Sequence, residues 1–230
     1  MMKKVLVTGS SGNLGKSVVT ALHDIGYDVL ATFGSNRESG VFDHLPRVKA
    51  DIVNVLEDSN VNQYLADNAS SPIYAAVLLV GGFTKGNIME SDAETLAKMY
   101  QLNFISAYNF VKPLLARFEQ QGGGQFVLIG ARPALEIAES VNAFAYTMSK
   151  SLIFKLADYV NEYGKTKNIK ANIVVPSTID TPQSRQAMPD ADYSQWVTPD
   201  FIAQKIAQLV SDTEGSNSEE RILKLYNNNM

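Results

Sequence analysis

Seven short runs rich in β-branched and aromatic residues, at 4–9, 27–33, 47–51, 74–80, 124–130, 169–175 and 220–226, alternate with stretches of helical apolar spacing. That alternation leaves few folds. Strands joined through helices run parallel, and a parallel sheet must be covered on both faces. Helices are predicted at 13–25, 58–68, 92–119, 143–163 and 198–212. In the first, Leu14, Val18, Ala21, Leu22 and Ile25 share one face and Gly26 follows as a C-cap. The segment 176–197, rich in Pro, Ser, Asp and Gln, reads as a long loop, and loops of that length in a compact domain are usually functional or disordered.

Composition narrows the chemistry. A chain of 230 residues is expected to form a single domain over 1–230. The absence of cysteine removes disulfides, thiolate zinc sites, iron–sulfur clusters and a cysteine nucleophile together. His23 and His44 are the only histidines, so no metal site is expected. The net charge of −4 is spread along the chain without a basic tract, which argues against nucleic acid as a partner. The longest apolar stretch, 73–83, is about half the length of a membrane-spanning helix. The expectation is a cytoplasmic protein with a small-molecule partner and no membrane or nucleic acid.

TGSSGNLG at 8–15 follows a predicted strand and opens a predicted helix, the context of a dinucleotide-binding turn. Gly9 would permit the tight turn, Gly12 a close backbone approach to a pyrophosphate, and Gly15 close packing of helix on strand; Ser11, Asn13 and Leu14 would present backbone donors at the helix start. The rival reading is a Gly-Ser turn without a ligand. With the strand–helix alternation, the turn gives the fold class: α/β, a single Rossmann-type doubly wound parallel sheet with helices on both faces. At the end of the second strand Phe33 stands where an NAD-selecting acid is expected, and Ser35, Asn36 and Arg37 follow. This favours NADP, with NAD the alternative if Arg37 is only a solvated surface residue. Asp51 and Ile52, ending the third strand, are placed to contact the adenine, unless Asp51 is a plain turn aspartate.

AYTMSK at 145–150 puts Tyr146 and Lys150 four residues apart, on one face of a helix. An ammonium about 4.5 Å from a phenol, at an effective dielectric near 20, is worth up to roughly 3.7 kcal/mol, so Lys150 is expected to lower the Tyr146 pKa. Alone, such a pair is more often a surface pair.

Taken together, TGSSGNLG, Asn103 in the long helix, YTMSK and PSTIDTP at 176–182 make the chain resemble the short-chain dehydrogenases/reductases along essentially its whole length. Within that superfamily VGGFTKGN at 80–87, GARPAL at 130–135 and PSTIDTPQSRQAMPDADYSQW at 176–196 are similar to segments of the dihydropteridine reductases. The resemblance implies an enzyme that moves hydride between NAD(P)H and a small substrate. It casts Tyr146 as the proton donor, Lys150 as holder of the nicotinamide ribose, and Asn103 as support for a water linking Lys150 to solvent. Gly81, Gly82, Pro176, Ile179 and Thr181 would line the cofactor. It also implies a homodimer or homotetramer through the helices at 92–119 and 143–163. Asn103 has a simpler alternative, as a helix-bending or backbone-bonding residue.

The superfamily usually carries a serine at the end of the fifth strand to hold the reacting carbonyl; here Gly130-Ala131 stands there. A quinonoid dihydropterin, which takes hydride and a proton into a delocalised ring, tolerates that loss. Phe83, Ala131, Met188, Tyr193 and Trp196 are the expected substrate contacts, though Tyr193 and Trp196 could instead pack to order their loop. The alternatives are an NADP-dependent reductase of another carbonyl or quinone, and a catalytically silent NADP-binding sensor or structural subunit.

Overall fold

A computed structural model of the chain describes residues 3–35, 40–212 and 221–227. Asn36 and Arg37 lie outside these described residues. Seven parallel strands, β1 (Lys4–Thr8), β2 (Asp28–Phe33), β3 (Val48–Ile52), β4 (Ile73–Leu78), β5 (Gly124–Ile129), β6 (Ile169–Pro176) and β7 (Ile222–Leu225), form one sheet in the order β3-β2-β1-β4-β5-β6-β7. All seven coincide with the runs read from the sequence.

The helices are α1 (Asn13–Asp24), α2 (Asp58–Asp67), α3 (Ala93–Tyr100), α4 (Ser106–Gln120), α5 (Phe144–Gly164), α6 (Pro182–Ala187) and α7 (Pro199–Ser211). They cover both faces of the sheet, as strand alternation requires. Val5 and Val7 of β1 pack with Val18, Val19 and Leu22 of α1 and Ile202 and Ile206 of α7, while Leu6 between them packs with Phe110 and Leu114 of α4 and Ile153 of α5. Burying both faces makes the central strands β1, β4, β5 and β6 near-continuous apolar runs, whereas the edge strand β3, VKADI, stays largely open.

Two expectations change. The long helix is not continuous: a π-helical turn at Gln101–Ile105 separates α3 from α4. The segment 176–197 is not a bare loop, because it holds α6 and a 3₁₀ turn at Tyr193–Gln195. Thr181 caps α6 by accepting from the Ser184 N–H at 3.1 Å, and Pro182 begins it. No helix among the described residues is long and apolar enough to cross a membrane.

The chain leaves β1 for β2 and β3 on one side and returns to β4 on the other. The crevice between β1 and β4, at the carboxyl ends of the strands, is therefore the topological switch point, where ligands bind in open α/β sheets.

Candidate active site

The glycine turn opens directly onto that crevice. Gly9 has φ +65°, and a Cβ on Gly15 would fall 2.2 Å from the Gly9 carbonyl oxygen, so both positions require glycine. Gly12 takes the N-cap of α1 without a side-chain cap, and the first turn carries no acid. The helices α3, α6 and α7, by contrast, are capped by Asp92, Thr181 and Thr198. The first-turn donors of α1, around Ser11, Asn13 and Leu14, are thus left for an anion. The buried Ser10 ties the turn to β2, its hydroxyl donating to the Thr32 carbonyl at 2.9 Å.

At the far edge, Phe33 is buried and Ser35 exposed. Ile52 ends β3 with about half its surface open, suited to the face of a flat base. The Asp51 carboxylate lies 3.4 Å from Lys49 Nζ.

Across the crevice, Asn103 sits in the π-helical turn and is buried. Its side-chain amide grips Gly82 at two points, accepting from the Gly82 N–H and donating to the Gly82 carbonyl, each at 3.0 Å. It also donates to Ser149 Oγ at 3.0 Å, and Ser149 donates to the Tyr146 carbonyl at 2.7 Å. The backbone-bonding alternative for Asn103 is therefore what its side chain does. A Cβ on Gly81 would come within 2.6 Å of Asn103 Oδ1 and 3.3 Å of Lys150 Nζ, so the glycine pair after β4 lets these two side chains approach. Ser149 was missed in the sequence, although it stands inside the YTMSK motif.

Tyr146 and Lys150 lie on one face of α5. Lys150 is buried and donates to the Ile129 carbonyl, at the end of β5, at 2.9 Å. Burial pulls its pKa down to about 8. Tyr146 is half-buried, and desolvation pushes its phenol up to about 12. The expected lowering of Tyr146 by Lys150 is not what the folded chain shows: removal of the phenolate from water raises the phenol instead. Phe83 meets Tyr146 edge to face, and Gly86, three residues on, bonds the stretch leading into α5: its N–H donates to the Asn142 carbonyl and its carbonyl accepts from the Phe144 N–H, both at 2.9 Å. That strap joins the Phe83 loop to the helix bearing Tyr146. Gly86 lies in VGGFTKGN, but only the tertiary pairing gives it this role.

Ala131 is buried after β5. Pro176 ends β6, Ile179 bridges to Val197, and the Thr181 hydroxyl is engaged in capping α6. Trp196 is buried and packs on Tyr193 at 4.7 Å between ring centroids, the loop-ordering alternative; Met188 is partly exposed. Arg185, which sequence reasoning passed over, chelates Asp180 at 2.6 and 2.8 Å and lies over the Tyr193 ring.

A nicotinamide dinucleotide fits these residues: an uncapped helix start, glycines admitting close approach, an exposed apolar residue for the base, and a lysine and tyrosine at the other end. Comparison with known proteins agrees. The family model for short chain dehydrogenase matches residues 3–192. Dihydropteridine reductase of Dictyostelium discoideum is 26% identical over 230 residues, covering 97% of this chain and 94% of that protein. The structure of an oxidoreductase of the short chain dehydrogenase/reductase family from Burkholderia thailandensis matches with TM-score 0.85 at 18% identity, over 98% of this chain and 91% of that one. The structure of ElxO with NADP bound matches with TM-score 0.87 at 20% identity, over 98% and 97%. A family match over most of the chain, on a doubly wound sheet whose switch point gathers these residues, makes the protein an oxidoreductase of the short-chain dehydrogenase/reductase family.

Proposed function

We propose that this enzyme is an NADP-dependent reductase of a small, flat, conjugated molecule, a quinonoid dihydropterin being the substrate its residues suit best. The observation that carries the reading is the edge-to-face contact of the half-open Phe83 on the Tyr146 ring, together with a buried Ala131 after β5 where a hydroxyl would otherwise hold a carbonyl.

When bound, the dinucleotide supplies hydride. Gly9, Gly12, Gly15 and the first turn of α1 would hold its pyrophosphate, Asp51 and Ile52 its adenine, Lys150 the nicotinamide ribose, and Pro176, Ile179 and Thr181 would line the nicotinamide end. Tyr146 keeps its proton on the phenol oxygen at neutral pH, because burial raises its pKa to about 12, and gives that proton to the reduced substrate. An ammonium held near 8 returns a proton far more readily than an ordinary lysine, so Lys150 is suited to reprotonating the phenolate. Asn103 holds Gly82 and, through Ser149, the backbone of Tyr146.

Ala131 offers a developing alkoxide no donor, which counts against simple ketones and for a ring that takes up hydride and proton without one. The Dictyostelium relative carries the name of that reaction. Phe33 in place of an acid, followed by Ser35 and Arg37, favours NADP over NAD. A quinone would meet the same aromatic surface. Turnover with NADPH separates the two: faster reduction of quinonoid dihydropterin than of a simple quinone supports the reading, and quinone turnover alone replaces it. Calorimetric titration is expected to show tighter NADPH than NADH binding, flattened by Arg37→Ala; equal affinities in the wild type remove the NADP assignment.

A further inference from the structure

The segment between Ile179 and Val197 is a body of its own. Its root is closed by two backbone bonds, Asp180 N–H to the Val197 carbonyl at 2.9 Å and Val197 N–H to the Thr178 carbonyl at 3.0 Å. Inside, the Arg185 fork grips Asp180, the guanidinium lies 4.5 Å over the Tyr193 ring, and the Tyr193 hydroxyl donates to the Pro189 carbonyl at 2.9 Å. Tyr193 in turn packs on the buried Trp196. A segment cross-braced in this way moves as a unit rather than residue by residue.

Two side-chain bonds tie this region to α1. Ser17 Oγ donates to Asp200 Oδ1 at 2.6 Å, fixing the start of α7 just beyond the root. Nearer the glycine turn, Asn13 Nδ2 donates to Gln183 Oε1 of α6 at 2.8 Å, joining residues 170 positions apart in the chain. Asn13 is the first residue of α1, at the uncapped donors assigned above to the pyrophosphate. The root is therefore anchored to α1, and the first turn of α6, just beyond the root, is tied to the start of the glycine-turn helix by an exposed amide pair.

We propose that Gln183 is a positioning residue for the dinucleotide: through Asn13 it latches the braced segment 180–196 across the glycine turn, and opening of this latch gates cofactor release. The inference rests on the dinucleotide reading above. The internal braces carry the effect of this bond from α6 to the rest of the segment, and losing a neutral bond of this kind is expected to speed release by about 3- to 10-fold.

The test is rapid-mixing displacement of NADPH, followed by its fluorescence, from the wild type, Gln183→Ala, Gln183→Met, Asn13→Ala and the Asn13→Ala/Gln183→Ala double variant. The latch predicts faster release from both Gln183 variants and no further acceleration by Gln183→Ala once Asn13 is already alanine. Unchanged release in both Gln183 variants, or an acceleration that persists in the Asn13→Ala background, overturns the latch and leaves the function reading intact. A folded wild type that binds no NADPH overturns both.

Discussion

Phe83 and Tyr146 meet edge to face, their ring centroids 5.0 Å apart and their planes inclined at 73°. The contact joins the loop after β4 to the helix that carries the phenol, yet Phe83 keeps 60% of its surface open. An aromatic face so placed is suited to stacking a flat substrate. Phe83→Ala is expected to raise KM for quinonoid dihydropterin by about 2- to 10-fold, from a stacking contribution of about 0.5–1.5 kcal/mol, with a smaller change in kcat. Steady-state kinetics check this, and an unchanged KM contradicts the stacking role.

Gly15→Ala tests the anion site from below. The added methyl has no room against the Gly9 carbonyl, so the turn must shift, at a cost of about 1–3 kcal/mol. The expected result is a melting temperature lower by roughly 2–12 °C together with weakened NADPH binding. Unaltered affinity would mean that the turn does not hold the pyrophosphate.

The central strands were legible because burial on both faces writes them as near-continuous apolar runs, and TGSSGNLG was legible because its glycines answer to local backbone demands. The π-helical turn was not, since what accompanies it is the grip of Asn103 on Gly82, a contact between positions 21 apart. The helix α6 had left a signal: Thr181-Pro182 followed by Ser184 is a capping sequence, overlooked inside a polar segment. Trp196 was ambiguous because an aromatic residue in a loop can close over a ligand or anchor the loop, and only its burial distinguishes them. The direction of the Tyr146 shift was misjudged because spacing reports proximity along a helix and not desolvation.

The two shifted groups set a pH signature for stability. Lys150 has its folded pKa lowered from 10.5 to about 8, so between these values the unfolded chain binds a proton that the folded one does not, and stability rises with pH. The Lys150 contribution is full above 10.5 and lost as pH falls through about 8. Tyr146 acts oppositely, its raised folded pKa costing stability only as pH climbs from 10 toward about 12. Between pH 8 and 10, thermal melting of the wild type is therefore expected to gain relative to Lys150→Met; parallel profiles would contradict a neutralised buried lysine.

Tyr100, Phe104 and Tyr108 form a stacked row across the π-helical turn, with centroid separations of 5.3 and 6.0 Å, and both tyrosines are exposed. A second copy of the chain is expected to cover this row, as the family resemblance implies for these helices. Sedimentation velocity is predicted to give a dimer or tetramer, shifted toward monomer by Tyr100→Glu combined with Tyr108→Glu. A monomeric wild type contradicts the assignment.

Proton donation by Tyr146 is tested most directly by single-turnover oxidation of NADPH with quinonoid dihydropterin, comparing the wild type with Tyr146→Phe at matched cofactor occupancy. Loss of the phenol hydroxyl is predicted to slow the reaction by about 10²- to 10⁴-fold while NADPH still binds. A Tyr146→Phe variant that reduces the pterin at the wild-type rate would contradict it.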